Sequence, residues 1–342
     1  MTTFVTKRSG KLLLLGCSIA ISFVVVEVIL RIYSAGYLLV PLNGHPILHH
    51  VQPSNFEFTS YNIAEEYGGH TVIYDKNGFR VPHHEYAYDN SLKDVIFLGD
   101  SFVEASEVPF EQTFVSLFAE EFENFNARNF GVSSYSPLLS YLQLRHYLNS
   151  IKPVLVVHLV FENDLEDDRK YYSLAERENG IVKAVPGEAN GPVRRFLRQF
   201  YVVRLVHRAL ITLQASANNP FGEGENKISF YLDDPDLGEI TPYYINKISQ
   251  LATEHNIRYL LMCVPSKLKF NEMREHNDIC KKIKKLASDS KIEYVDLDSF
   301  FSNNADGEKP FFDRNIHLNA TGHRLTYLAL INYLKSNPQS LQ

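Results

Sequence analysis

The chain lacks most of the features that tie a protein to a particular scaffold or partner. Three cysteines in 342 residues are too few for a disulfide framework. Its 13 histidines are scattered without the spacing of a zinc site, so no metal and no organic cofactor is expected. Basic charge is not in excess: the net charge is −6 and the pI about 6.1, whereas nucleic-acid binding needs a clustered basic face. No nucleic-acid partner is expected. The sequence shows no internal repeat and no low-complexity segment. What it does have is 45% hydrophobic residues, enough to build one large core or two small ones. Cys17 lies in an apolar segment, which leaves Cys263 and Cys280. A bridge between these two, if the domain is exported, and two buried thiols are both open readings.

Lys7, Arg8 and Lys11 precede an uncharged run from Leu12 to Val26, and apolar character resumes from Val28 to Leu30. A helix from Leu12 to Leu30 is roughly 28 Å long at ~1.5 Å per residue, close to the hydrocarbon thickness of a bilayer. The segment reads as a membrane-spanning signal anchor over residues 12–32. Positive charges ahead of it keep residues 1–11 cytoplasmic and the remainder extracytoplasmic, periplasmic or extracellular. Glu27 and Arg31 are four apart and can pair at the outer interface. Three rival readings stand beside this one: a secretory signal cleaved near Ser34-Ala35-Gly36, a lipoprotein box at Leu14 to Cys17, and a buried helix of a soluble protein.

Residues 33–90 are rich in Gly, Pro, Asn, His and Tyr and read as a spacer and lead-in of irregular or short-strand structure, with Asp75 to Arg80 a tight turn. From residue 91 to 342 strand-like and helical runs alternate: Asp94 to Leu98, Thr113 to Phe122, Ala127 to Phe130, Pro137 to Ser150, Val154 to Phe161, Pro242 to His255, Arg258 to Val264, Glu272 to Ser290, Glu293 to Leu297, Ala320 to Leu334. Such alternation predicts an α/β domain, a mostly parallel sheet covered by helices on both faces. Ser136-Pro137, Thr241-Pro242 and Asn319 mark helix starts. The alternation lapses over about 165–241, read as a cap insertion. It contains a basic, amphipathic stretch, Val193 to Leu213. That stretch either packs its apolar side on the domain, the reading preferred, or lies on an anionic membrane surface.

The chemistry-bearing residues fall where strands stop. Gly99-Asp100-Ser101 ends the first strand, Asn129-Phe130-Gly131 the second and Glu162-Asn163-Asp164 the third, and Asp313 to His317 precedes the last helix. In an open parallel sheet ligands bind outside the carboxyl ends of the strands, so these blocks can converge. Each alone is ordinary: Gly-Asp-Ser is turn chemistry, His317 a common surface or interior histidine, and Asn163-Asp164 a helix cap. Together, in this order, they resemble the SGNH hydrolases, or GDSL-type esterases, over roughly Asp94 to Asn337. The anchored arrangement resembles the alginate O-acetylation proteins within that superfamily.

The resemblance implies a three-layer α/β/α, flavodoxin-like sandwich in which Ser101 is the nucleophile and His317 its base. Ser101 N–H, Gly131 N–H and the Asn163 amide would form the oxyanion hole. The acid is displaced. The family sets it three residues before the histidine, where Arg314 stands, and the anchored relatives set it two before, where Asn315 stands. Asp313, four before, is the expected acid, with Asn315 or a backbone carbonyl as the alternative orienter. Phe161 replaces a frequent glycine two before Asn163 and is expected to narrow the acyl pocket. Asp100 is expected to brace the nucleophile loop, and His323 to be structural. The function implied is a membrane-anchored serine esterase acting on an acylated small molecule or polysaccharide. An O-acyltransferase using the same residues is the alternative, and a degenerate binding module the second, favoured if neither Asp313 nor Asn315 reaches His317.

Overall fold

The computed structural model describes residues 2–32, 42–61, 66–187, 191–197, 199–218, 237–267, 279–305 and 307–338. The chain divides into two compact units, one of Met1–Pro41 with Asn190–Gly222 and one of Leu42–Ala189 with Glu223–Gln342.

The larger unit is built on one sheet. Its strands are β1 (Phe56–Tyr61), β2 (Gly68–Tyr74), β3 (Arg80–Val81), β4 (Lys93–Leu98), β5 (Phe125–Asn129), β6 (Pro153–Val160), β7 (Arg258–Cys263) and β8 (Glu293–Val295), in the order β8-β7-β6-β4-β5-β3-β2-β1. From β4 to β8 all pairings are parallel, and the five strands run 2-1-3-4-5, the flavodoxin-like order. Strands buried on both faces show no alternation in sequence yet divide their side chains in space. Val95 and Phe97 of β4, with Val157 and Leu159 of β6, pack on α3 (Phe114–Glu121), α10 (Leu297–Asn304) and α11 (Ala320–Ser336). Ile96 and Leu98, with Val156 and Val160, pack on α4 (Pro137–Tyr147), α8 (Leu237–Glu254) and α9 (Ile279–Asp289) on the other side. The expected three-layer α/β/α sandwich is the architecture.

Two sequence boundaries move. The short-strand structure of the lead-in belongs to the domain's own sheet, which starts ahead of residue 91, because β1, β2 and β3 extend it antiparallel from the β5 edge. The Asp75 to Arg80 turn joins β2 to β3: Asp75 Oδ1 accepts from Asn77 N at 2.8 Å and Phe79 N at 2.9 Å, and Gly78 takes φ +82°. Helix α8 begins ahead of Thr241-Pro242, and the Thr241 hydroxyl donates to Asp168 rather than capping a helix. Asn319 does cap α11, accepting from Gly322 N at 3.0 Å. Cys263 and Cys280 form a disulfide that ties the end of β7 to α9.

The smaller unit contains α1 (Thr2–Ile32), α6 (Pro192–Leu197) and α7 (Tyr201–Asn218). Residues 190–222 therefore group with α1. They are not the cap that a single insertion over 165–241 implied, and α5 (Asp164–Leu174) with the hairpin Glu176–Glu178/Ile181–Ala184 stays with the sheet. The reason is local: Glu27 pairs with Arg31 at 2.7 Å and also accepts from Val202 N at 3.0 Å, fixing the start of α7 to α1. Leu13–Arg31 is long and apolar enough to cross a membrane. Ser34-Ala35-Gly36 lies outside the described residues.

Candidate active site

Ser101 opens α2 (Ser101–Glu104), a single helical turn directly after β4. Asp100 is its N-cap, with Oδ1 accepting from Phe102 N at 2.9 Å, so it braces the turn as expected. Gly99 stands at φ +151°, and a Cβ there would meet Leu159 O at 2.7 Å and Val103 Cγ2 at 2.6 Å. Only glycine lets the chain turn this tightly between β4 and β6. Those are the first and third strands of the parallel set, the topological switch point where open sheets bind ligands.

His317 meets the serine, with Nε2 2.7 Å from Ser101 Oγ. Its other nitrogen, Nδ1, faces Asn315 Oδ1 at 2.6 Å and Glu107 Oε1 at 3.3 Å. The His317 backbone N–H, which can only donate, also reaches Asn315 Oδ1 at 2.9 Å, and this identifies that atom as the oxygen. Two oxygen acceptors at Nδ1 place the ring proton there. Nε2 is then left with a lone pair for the serine hydroxyl.

Asp313 is not part of this chain of contacts. Its carboxylate is about 70% exposed and pairs with Lys309 at 2.7 Å, which holds its pKa below the usual range. The block before the helix is closed by Phe312 N donating to His317 O at 3.2 Å, and within it Asn315, two residues before the histidine, turns inward while Asp313 turns out. The carboxylate at the site is Glu107, six residues beyond Ser101 in the loop after α2. Its side chain is 9% exposed. Sequence reasoning missed it because it lies in none of the four motif blocks; the signal present was a pair of acidic residues, Glu104 and Glu107, in a mostly apolar segment.

That loop is held by the lead-in strands. Arg80 of β3, fully buried, donates to the carbonyl oxygens of Glu104 at 2.9 Å and Val108 at 2.6 Å, and to that of Ala105. Tyr74 of β2 donates to Glu104, whose other oxygen takes Ser133 N at 2.8 Å. On the histidine side, Asn315 Nδ2 donates to the Tyr67 hydroxyl at 3.3 Å.

Two of the expected oxyanion donors, Gly131 N–H and the Asn163 amide, are engaged. Gly131 N–H donates to Asn129 Oδ1 at 2.9 Å, and Asn129 Nδ2 donates to Val103 O at 2.7 Å, stapling the end of β5 to α2. The glycine is required by this packing, since a Cβ would fall 2.1 Å from Glu104 N. The glycine here makes room for a backbone. Asn163 Nδ2 donates to Asp167 Oδ2 at 3.1 Å. Around it Asp100 is pushed to about 7 and Asp167 to about 6, both by burial first. Phe161 is buried, its ring 4.3 Å from that of Phe102, which in turn lies 4.9 Å from the His317 ring. His323 is buried in α11 and its pKa is pushed down to about 3 by burial, so it stays neutral. Among the described residues no group of three or more His, Cys, Asp or Glu is placed to hold a metal ion.

A family model described as GDSL-like lipase/acylhydrolase matches residues 95–330. No curated protein matches the chain. Solved structures similar to it include the acetyl xylan esterase AlAXEase, 18% identical over 70% of this chain and 98% of that one, with a TM-score of 0.42. An acetyl-xylooligosaccharide esterase variant from Geobacillus is 15% identical over 71% and 94%, with a TM-score of 0.42. The psychrotrophic esterase EstA from Pseudoalteromonas sp. is 11% identical over 71% and 97%, with a TM-score of 0.40.

Proposed function

Because the chain belongs to the GDSL-like lipase/acylhydrolase family, we propose that it is a membrane-anchored serine esterase, working through an acyl-Ser101 intermediate on an acyl ester of an envelope or exported glycan. The observation that carries this reading is the relay from Ser101 Oγ to His317 Nε2, and from His317 Nδ1 to Asn315 and Glu107. Ser101 Oγ attacks the ester carbonyl as its proton passes to Nε2, giving an imidazolium beside Glu107 and a tetrahedral oxyanion. Collapse breaks the bond to the leaving oxygen, which takes the Nε2 proton. Water then repeats the cycle, losing a proton to Nε2, and the acid is released with Ser101 restored. Ser101 N–H and the Asn163 amide are the oxyanion donors in this scheme, joined by Gly131 N–H when Asn129 Oδ1 releases it. One such donor is worth ~2.7–4 kcal/mol of transition-state stabilisation.

The extracytoplasmic placement is supported by α1, which satisfies the length and apolarity of a span, and by the Cys263–Cys280 disulfide, a bond that persists in oxidising compartments. The binding-module reading loses its main argument, since Asn315 lies within hydrogen-bond distance of His317. Transfer to a sugar hydroxyl in place of water uses the same residues. The test is the full chain in detergent with a fluorophosphonate probe and short acyl esters of p-nitrophenol. Labelling and turnover that both vanish in Ser101→Ala are expected, and wild-type protein that neither labels nor turns over would sink the proposal. Acyl release that requires an added glycan acceptor would move it to the transferase.

A further inference from the structure

The unit of α1, α6 and α7 leaves an apolar face with a clear direction. Around α7, Val202, Leu205, Val206, Ala209 and Leu210 fall within one half of the helical circumference, and Arg204 and His207 fall on the other. Leu205, Val206 and Leu210 are 38%, 52% and 54% exposed. Phe196 and Val193 of α6 are 57% and 69% exposed. From Gly191 to Asn218 the chain carries five arginines and no acidic residue.

The start of α7 is fixed at a definite level on α1. Glu27 accepts from Val202 N at 3.0 Å, the Phe23 and Phe200 rings are 5.6 Å apart, Arg31 donates to Gln199 O at 3.1 Å and its guanidinium lies 5.2 Å from the Tyr201 ring. Glu27 is five residues before the last residue of α1, about 7.5 Å along the axis, within the ~5–10 Å depth at which interfacial helices bury their apolar face.

We propose that α6 and α7 lie in the surface of the bilayer that α1 spans, the α7 face of Leu205, Val206 and Leu210 among the acyl chains and the arginines among anionic headgroups. This rests on reading α1 as a membrane span. The occupant follows from two features. The exposed face is continuous with α1, whose apolar window is only 6% buried, and the charge is of one sign, complementary to anionic lipid. The enzyme would thereby be held by two elements, one crossing the membrane and one floating in its surface.

The chain has no tryptophan, so each introduced one reports alone. Full chain carrying Val206→Trp, His207→Trp or Val24→Trp is reconstituted into phosphatidylcholine vesicles containing a minor fraction of phosphatidylglycerol, with and without bromine on the acyl chains. Val206→Trp is expected to be quenched roughly twofold or more, as Val24→Trp in the span is, with His207→Trp quenched far less. If Val24→Trp is quenched and Val206→Trp is not, the surface proposal is overturned and the span stands. Blue emission from Val206→Trp without quenching overturns it too, and would mean that protein, such as a second copy of the chain, covers the face. If Val24→Trp itself is not quenched, the reading of α1 falls first and the proposal with it.

Discussion

Replacing Glu107 with glutamine removes one charge at the histidine and nothing else of comparable size. In the wild type Nδ1 has two acceptors, Asn315 Oδ1 at 2.6 Å and Glu107 Oε1 at 3.3 Å. Asn315 alone can hold the ring and its tautomer, so Glu107→Gln should spare orientation and lose only the stabilisation of the imidazolium. Two unit charges at that separation attract by about 5 kcal/mol at an effective dielectric of ~20, and the net value of a hydrogen bond to a charged group is ~1.5–3 kcal/mol. The side chains are 18% and 9% exposed, so solvent screens little of this. The expected outcome is a fall in kcat of roughly 10- to 150-fold with KM unchanged, for an interaction made mainly in the transition state. Asn315→Asp placed in the Glu107→Gln background returns a carboxylate to Nδ1 and should recover most of the loss. A merely structural role for Glu107 would not be rescued that way. Asp313→Ala, at a solvent-exposed ion pair, should leave kcat within about twofold. Steady-state kinetics on a p-nitrophenyl ester, with thermal melts to confirm folding, decides the matter. Wild-type kcat in Glu107→Gln, or a comparable loss in Asp313→Ala, would refute the assignment of the acid.

Three further outcomes follow from the same geometry. Asp168 is buried and its pKa is pushed up to about 6 by that burial, while an unfolded aspartate titrates near ~3.9. Between those values the folded protein binds more protons than the unfolded chain, so this group's contribution to stability falls as pH rises through that window. Melting temperatures between pH 4 and pH 7 should therefore decline less steeply in Asp168→Asn than in wild type, and an unchanged slope would count against the argument. Gly131→Ala sets a Cβ 2.1 Å from Glu104 N, forcing α2 to move, and should abolish phosphonate labelling of Ser101 even where circular dichroism shows folded protein. Reducing the Cys263–Cys280 bridge, which closes a loop of 17 residues, should cost about 3 kcal/mol in denaturant melts and leave kcat unchanged at temperatures where the fold persists.

The parallel half of the sheet was legible because its strands are uninterrupted apolar runs and each ends in residues that stop a strand. Ser101 was legible for a related reason, since it stands at such a stop beside Gly99 and its cap Asp100, and His317 because it stands just before the Asn319 cap of the last helix. Strands β1 to β3 were less so: β1 and β2 carry polar, exposed residues, β3 is only two residues long with a buried arginine as one of them, and the intervening Gly, Asn and His content reads as loop. Glu107 was hidden by the same limit. A residue brought to the histidine by a buried arginine on another strand has no spacing that links it to His317, and the nearby Asp313 offered a closer match in sequence to a contact it does not make. The stretch Val193 to Leu213 had an amphipathic pattern, but it folds as two helices, and pattern alone does not say what they pack on. Glu27, 175 residues away, ties the start of α7 to α1 through Val202 N.

The buried Arg80 sets a limit on how this chain can be cut down. The recognisable family region starts at residue 95, yet the guanidinium that cross-links the loop of Glu107, the tyrosine that ties down Glu104 and the one that touches Asn315 all come from residues 67 to 80. A shortened chain beginning at the family boundary would keep every residue of the relay and lose the fixtures that aim them. A chain shortened to remove α1 should begin at Leu42, where the sheet-bearing unit itself begins, so that the part conferring precision travels with the part conferring reactivity.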